Sequence, residues 1–216
     1  MSMHDGSKAA GRTLSRRSFL MAAPALTLAT LGAPPTRAGE RDWPPVFETG
    51  RSQFTVVRPR TTMPSLRLQD LRGKDVLLAP KPGRITLINL WATWCAACRL
   101  DLPTIASLGR QRRDALDACA ICTDTRDIRA IRSFLGSVNV PDLSCYVDTY
   151  GAAVPPKGSS DALFKLVGMP ITYLVGPSMQ IEGYITGAAD WLSPEGARLL
   201  QFYREQASQG LPSSSS

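Results

Sequence analysis

Apolar and polar positions follow two periods along this chain. Residues 85–91, Ile-Thr-Leu-Ile-Asn-Leu-Trp, are a near-continuous apolar run of the kind that fills a strand buried on both faces. Shorter apolar runs at 116–123, 143–147, 171–175 and 181–186 also read as strands, the last two joined by a hairpin through Gly176-Pro177. Residues 66–78 alternate around Arg72-Gly73-Lys74-Asp75, which predicts a hairpin with its turn at Gly73. Leu100, Ile105 and Leu108 recur at helical spacing and predict a helix over about residues 95–113, which Pro103 should kink. Ile128, Ile131 and Leu135 line one face of a second helix that Thr125 can cap. A Pro/Gly/Ser-rich connection at 154–160 precedes a short helix predicted over 161–166, and Ser193-Pro194-Glu195 opens the last helix with a Ser cap and a Pro in the first turn. Ahead of these elements, Trp43-Pro44-Pro45 and Arg58-Pro59 suggest an extended leader with a short strand near 54–57. No internal repeat is present.

The first residues do not fit that pattern. Ser15-Arg16-Arg17-Ser18-Phe19-Leu20 is a twin-arginine motif, followed by a moderately apolar stretch and by Thr36-Arg37-Ala38 as a cleavage site, which together read as a Tat export signal. The apolar stretch is shorter than the roughly 20 residues that span a bilayer. An uncleaved membrane anchor is the alternative. The expected organisation is a signal peptide over 1–38, an extended leader over 39–61, one domain over 62–208 and a disordered tail over 209–216. The location that follows is the periplasm, with membrane contact only through the signal or a membrane partner.

Composition then narrows the chemistry. The 216 residues are 44% hydrophobic and 20% charged, ordinary for a globular protein with a real core. The net charge of +7 falls to +3 once residues 1–38 are removed, so the basic balance is largely a property of the signal. No Lys/Arg cluster interleaved with aromatics remains, which argues against a nucleic-acid partner. His4 is the only histidine and leaves with the signal. Without imidazole, neither a Ser-His-Asp nor a Cys-His nucleophile can be built. No cofactor and no metal site is implied.

Thiols remain. Trp94-Cys95-Ala96-Ala97-Cys98 follows the buried strand directly, so Cys95 falls where the strand gives way to a helix. Backbone N–H groups and the positive end of the helix dipole lower a thiol pKa there. Cys98, one turn on, can attack a mixed disulfide formed at Cys95 and release the substrate. Cys119 and Cys122 have the same spacing, but inside a strand residues three apart point to opposite faces, so buried core thiols are expected there rather than a second redox pair. A structural disulfide from Cys145 to one of them is the alternative. Trp191 is expected to be a packing anchor.

Strand, Trp-Cys-x-x-Cys, helix, strand, helix and then a proline directly before a strand form a pattern that resembles the thioredoxin superfamily, and more closely the exported TlpA-like and ResA-like thiol-disulfide oxidoreductases. The residues that carry the likeness are Leu66-x-Leu68-x-Asp70-Leu71-x-Gly73-Lys74, the stretch from Asn89 through Trp94, Cys95 and Cys98 to Pro103, and Gly168-Met169-Pro170-Ile171-Thr172, within about 62–206. The resemblance implies an α/β thioredoxin-like fold: a central mixed sheet flanked by helices, with an N-terminal β-hairpin extension. It implies a cis-proline at Pro170, with the Met169 backbone offered as an edge to a substrate strand beside Trp94. Thioredoxin itself has a buried Asp where this chain has Asn89, as TlpA-like proteins commonly do. Those relatives place an acid three residues after the second cysteine; here it is Asp101, shorter than the usual Glu, and a candidate for helping Cys98 to deprotonate. From the residue alone, a solvated helix carboxylate is the competing reading. Ala97 stands where many relatives have proline.

The expected function is therefore a periplasmic protein-disulfide reductase working through Cys95 and Cys98. The resemblance implies that its partners are exported proteins whose cysteines are reduced before they receive haem or copper, and a membrane thiol-electron donor. A different class, a Cu(I)-binding metallochaperone, would use the same two sulfurs as soft ligands, though the third ligand is not identifiable. A thiol peroxidase would need a peroxide-polarising arrangement that the sequence does not display.

Overall fold

The computed structural model describes residues 43–124, 126–155 and 162–210, with side chains defined through residue 206. The expected export signal, the first residues of the expected leader, Thr125, most of the 154–160 connection and the final residues lie outside this range. The strands are β1 (Thr55–Thr62), β2 (Leu66–Asp70), β3 (Asp75–Leu78), β4 (Ile85–Trp91), β5 (Leu116–Cys122), β6 (Cys145–Val147), β7 (Ile171–Val175) and β8 (Gln180–Thr186). The helices are α1 (Cys98–Gln111), α2 (Ile128–Ser137) and α3 (Pro194–Gly210). All eight strands form one sheet in the order β1-β8-β7-β4-β5-β6-β2-β3. β4, β5 and β6 are parallel, and the remaining pairs are antiparallel. This is the mixed, helix-flanked sheet expected, and the β2–β3 hairpin extends one edge through β6.

β4 lies near the middle of the sheet and every one of its residues is buried. Ile85, Leu87 and Trp91 face one core with Leu102, Ile105 and Leu108 of α1, while Ile88 and Leu90 face the other with Ile121, Phe164 and Tyr173. Two cores on one sheet explain why this strand reads as continuous hydrophobe rather than as an alternating one. Trp191 is fully buried against Phe47, with ring centroids 4.9 Å apart, and acts as the packing anchor expected of it.

Several local expectations are corrected. α1 starts at Cys98 rather than at residue 95, and it runs on through Pro103, whose ring takes away the donor that would have met the Arg99 carbonyl. α2 is capped by Asp127, whose carboxylate accepts from the N–H groups of Arg129 and Ala130. Residues 162–166 form no helix. Phe164 is buried against Tyr173 at 4.6 Å, and the Tyr173 hydroxyl donates to the Lys165 carbonyl at 2.7 Å, so tertiary contacts hold that segment irregular.

The leader strand is longer than expected and belongs to the main sheet. β1 pairs with β8, its cis Arg58–Pro59 bond falls where the register shifts, and its edge position lets a proline stand without a ladder donor. Arg60 and Arg58 reach the buried Glu182 on β8 at 2.8 and 4.0 Å. Gly183 permits the close approach: a Cβ there would run into the Thr55 carbonyl and the Phe54 ring. Gly183→Ala is expected to push β1 off the sheet and lower the unfolding free energy by about 1–3 kcal/mol, read by urea denaturation. Gly50→Ala, where an added methyl meets nothing within 4 Å, serves as the unaffected control.

Candidate active site

β4 delivers the chain to its C-terminal end, where Thr123 N–H of the neighbouring strand still bonds the Trp91 carbonyl at 3.0 Å. The next four residues make a turn closed by Cys95 N–H donating to the Ala92 carbonyl at 3.1 Å. Cys95 and Cys98 are joined as a disulfide with Cα atoms 5.3 Å apart, and Cys98 opens α1. The Cys98 N–H points at Cys95 Sγ, 3.1 Å away. Cys95 thus sits just ahead of the helix, facing the Cys98 N–H and the positive helix end, the environment that stabilises a thiolate.

Burial separates the two sulfurs. Both residues are buried, Cys98 at 0% exposed and Cys95 at 4%, so Cys95 is the more accessible of the pair. Trp94 beside it is 71% exposed. The register Leu90↔Ile171 carries Pro170 to the same end of the sheet, and the Met169–Pro170 bond is cis, as the resemblance implied. Met169 is half-buried against the core cluster that contains both cysteines.

Asp101 is not a solvated helix carboxylate. It is 1% exposed and lies one turn along α1 from Cys98. Asn89 Nδ2 donates to its Oδ2 at 2.6 Å and the Ala189 N–H to its Oδ1 at 3.0 Å. Burial pushes its pKa up to about 6, against the opposing pull of the Ala189 and Asn89 donors. Asn89 also donates to Thr172 Oγ1 at 2.9 Å, so β4, β7 and α1 meet on one polar network inside the core. A second carboxylate, Asp124, was not among the sequence candidates. It accepts from Thr93 N–H at 3.1 Å, from Thr93 Oγ1 at 2.7 Å and from Cys122 Sγ at 3.1 Å. Its one sequence signal is its place just past the end of the strand that runs parallel to the one feeding the cysteines.

The other cysteines are core thiols and none is disulfide-bonded. Cys119 lies in one core, Cys122 and Cys145 in the other. Burial raises the pKa of Cys119 and of Cys145 to about 12, which leaves them un-ionised at neutral pH. Among the described residues, no group of three or more His, Cys, Asp or Glu side chains is arranged to hold a metal ion.

No protein-family profile matches the chain. It is 26% identical over 145 residues to the thioredoxin-like protein YneN of Bacillus subtilis, covering 66% of this chain and 79% of that one. It is 26% identical over 136 residues to the thiol-disulfide oxidoreductase ResA of Oceanobacillus iheyensis, covering 63% of this chain and 62% of that one. It is 30% identical over 117 residues to the thiol:disulfide interchange protein CycY of Rhizobium leguminosarum, spanning 54% of this chain and about half, 52%, of that relative. In fold it is similar to a putative thiol:disulfide interchange protein DsbE from Chlorobium tepidum, with a TM-score of 0.51 at 22% identity, covering 68% of this chain and 96% of that one. A thioredoxin family protein from the same organism gives a TM-score of 0.54 at 16% identity, covering 68% and 99%. Sequence relatives and sheet topology agree: the chain is similar to thiol-disulfide oxidoreductases of the ResA type and has a thioredoxin-like fold.

Proposed function

We propose that the protein is an exported reductase, placed in the periplasm by its twin-arginine signal, that opens disulfides in other exported proteins before they receive haem or copper. The observation that carries this reading is the asymmetry of the pair: Cys95 is the more accessible and its sulfur receives the Cys98 N–H, while Cys98 is fully buried with a buried acid one turn along its helix. The names of ResA and CycY support thiol exchange over Cu(I) binding. No helix among the described residues is long and apolar enough to cross a membrane.

In the reduced state the Cys95 thiolate attacks one sulfur of the client disulfide. A bond forms between Cys95 Sγ and that sulfur, and the other client sulfur leaves as a thiolate that takes a proton from solvent. Cys98 then gives its proton to the Asp101 carboxylate and attacks Cys95 Sγ, and the second client sulfur departs as a thiolate that takes a proton from solvent. One client disulfide becomes two thiols while the Cys95–Cys98 disulfide forms. A membrane thiol donor restores the dithiol with two electrons and two protons. The exposed Trp94 indole and the Met169–Pro170 edge are the client contacts in this scheme.

Asp101 titrates near 6, so it is mostly ionised at pH 7 and able to accept the proton; below that pH it is protonated and cannot. The resolving step should therefore rise with pH through a midpoint near 6. Asp101→Asn should remove that limb and slow resolution on the order of 100-fold at pH 7, measured by single-turnover quenching with a mixed-disulfide substrate. Cys98→Ala expressed in the native host should strand clients on Cys95, and mass spectrometry of the trapped adducts names them. Capture of nothing by Cys98→Ala, with function intact in Cys95→Ala, would refute the assigned roles.

A further inference from the structure

We infer that Asp124 is a positioning residue for the dithiol, clamping the turn that carries Cys95 to the end of β5 and so setting how closely the two thiols are held once reduced. This rests on the proposed thiol-exchange function. The argument begins with what does not hold the loop. The residues between the cysteines are Ala96 and Ala97, neither of which fixes the backbone as proline would. Ala97 is also the N-cap of α1 and offers no side-chain bond to the helix end. On the helix side, the loop is therefore held by backbone alone.

On the strand side it is held by a carboxylate. Thr93 is the first central residue of the turn closed by Cys95 N–H and the Ala92 carbonyl. Both of its outward groups meet Asp124: the N–H meets Oδ1 at 3.1 Å and the hydroxyl donates to Oδ2 at 2.7 Å. A two-point contact fixes orientation as well as position, which a single hydrogen bond does not. Asp124 is itself tied down, because Cys122 Sγ donates to Oδ1 at 3.1 Å and both the N–H and the hydroxyl of Thr123 bond the Trp91 carbonyl, at 3.0 and 3.2 Å. The end of β5 and the start of the loop are thus cross-linked by side chains. Cys122 is part of that frame as well as of the core.

The consequence is chemical. The equilibrium between a dithiol and its internal disulfide measures the effective concentration of one thiol at the other, which falls when the segment carrying one of them is free to move. Loosening the turn leaves the covalent pair intact but lowers that concentration in the reduced state. The disulfide then becomes easier to reduce, and the protein a weaker reductant.

The test is the redox equilibrium of Cys95–Cys98 against glutathione in the full chain, with near-UV circular dichroism to verify folding. Asp124→Ala removes both contacts and is expected to lower the equilibrium constant for disulfide formation by about three- to tenfold. Asp124→Asn keeps an acceptor for the Thr93 N–H and turns its amide toward the hydroxyl, so it should stay within about twofold of wild type. Rescue by asparagine separates the clamp from the charge. An alanine variant indistinguishable from wild type, or an asparagine variant that falls as far as alanine, would overturn the inference. A wild-type protein that equilibrates with glutathione yet reduces no client disulfide would instead count against the proposed function and leave this measurement standing.

Discussion

The parallel pairing of β4 with β5 runs in unbroken register from Ile85↔Leu116 to Trp91↔Cys122, and the site depends on it. Because the two strands end level, the loop leaving Trp91 and the loop leaving Cys122 emerge side by side. Every polar contact that reaches the cysteine turn from β5 follows from that alignment. A slip of one residue would send the apolar side chains of β4 to the opposite cores and carry Asp124 away from Thr93.

The same strand supplies the interior of the site. Asn89 lies within an otherwise apolar sequence and is the one long polar side chain of β4. A fully buried amide is costly unless its donors are used, and both contacts of Nδ2, to Asp101 and Thr172, are made by neighbours that are themselves buried. The helix, the central strand and the strand that follows Pro170 are thereby joined by polar contacts at the level of the dithiol. A carboxylate held in that setting remains close to neutral pH in its titration because it has been removed from water and yet given only neutral donors. The acid is tuned by what surrounds it rather than by a partner charge.

Much of this was legible in the sequence, for identifiable reasons. The strand 85–91 is buried on both faces and so shows as a hydrophobic run that no exposed element imitates. The cysteine motif stands at a strand end, and the resemblance carried Pro170 and Asp101. Other features were not legible because they depend on chain path rather than residue type. Thr125 and Asp127 are both good cap residues two apart, and the cap is Asp127, directly ahead of Ile128. The segment at 162–166 has helix-compatible residues, but Phe164 is held by an aromatic ring remote in sequence. β1 contains a proline and two arginines and resembles coil; it is a strand because Gly183 and Glu182 on β8 receive it. Asp124 is an ordinary surface aspartate until the turn beside it is known.

The placement of the remaining cysteines has a practical corollary. Cys119, Cys122 and Cys145 are all buried in the two cores and unbridged. Burial holds the Cys119 and Cys145 thiols un-ionised at neutral pH, so alkylating reagents, which react with thiolates, favour the sulfur at the helix start. For the native chain, the stoichiometry of label taken up before denaturation becomes a gauge of how much of the population carries the dithiol open.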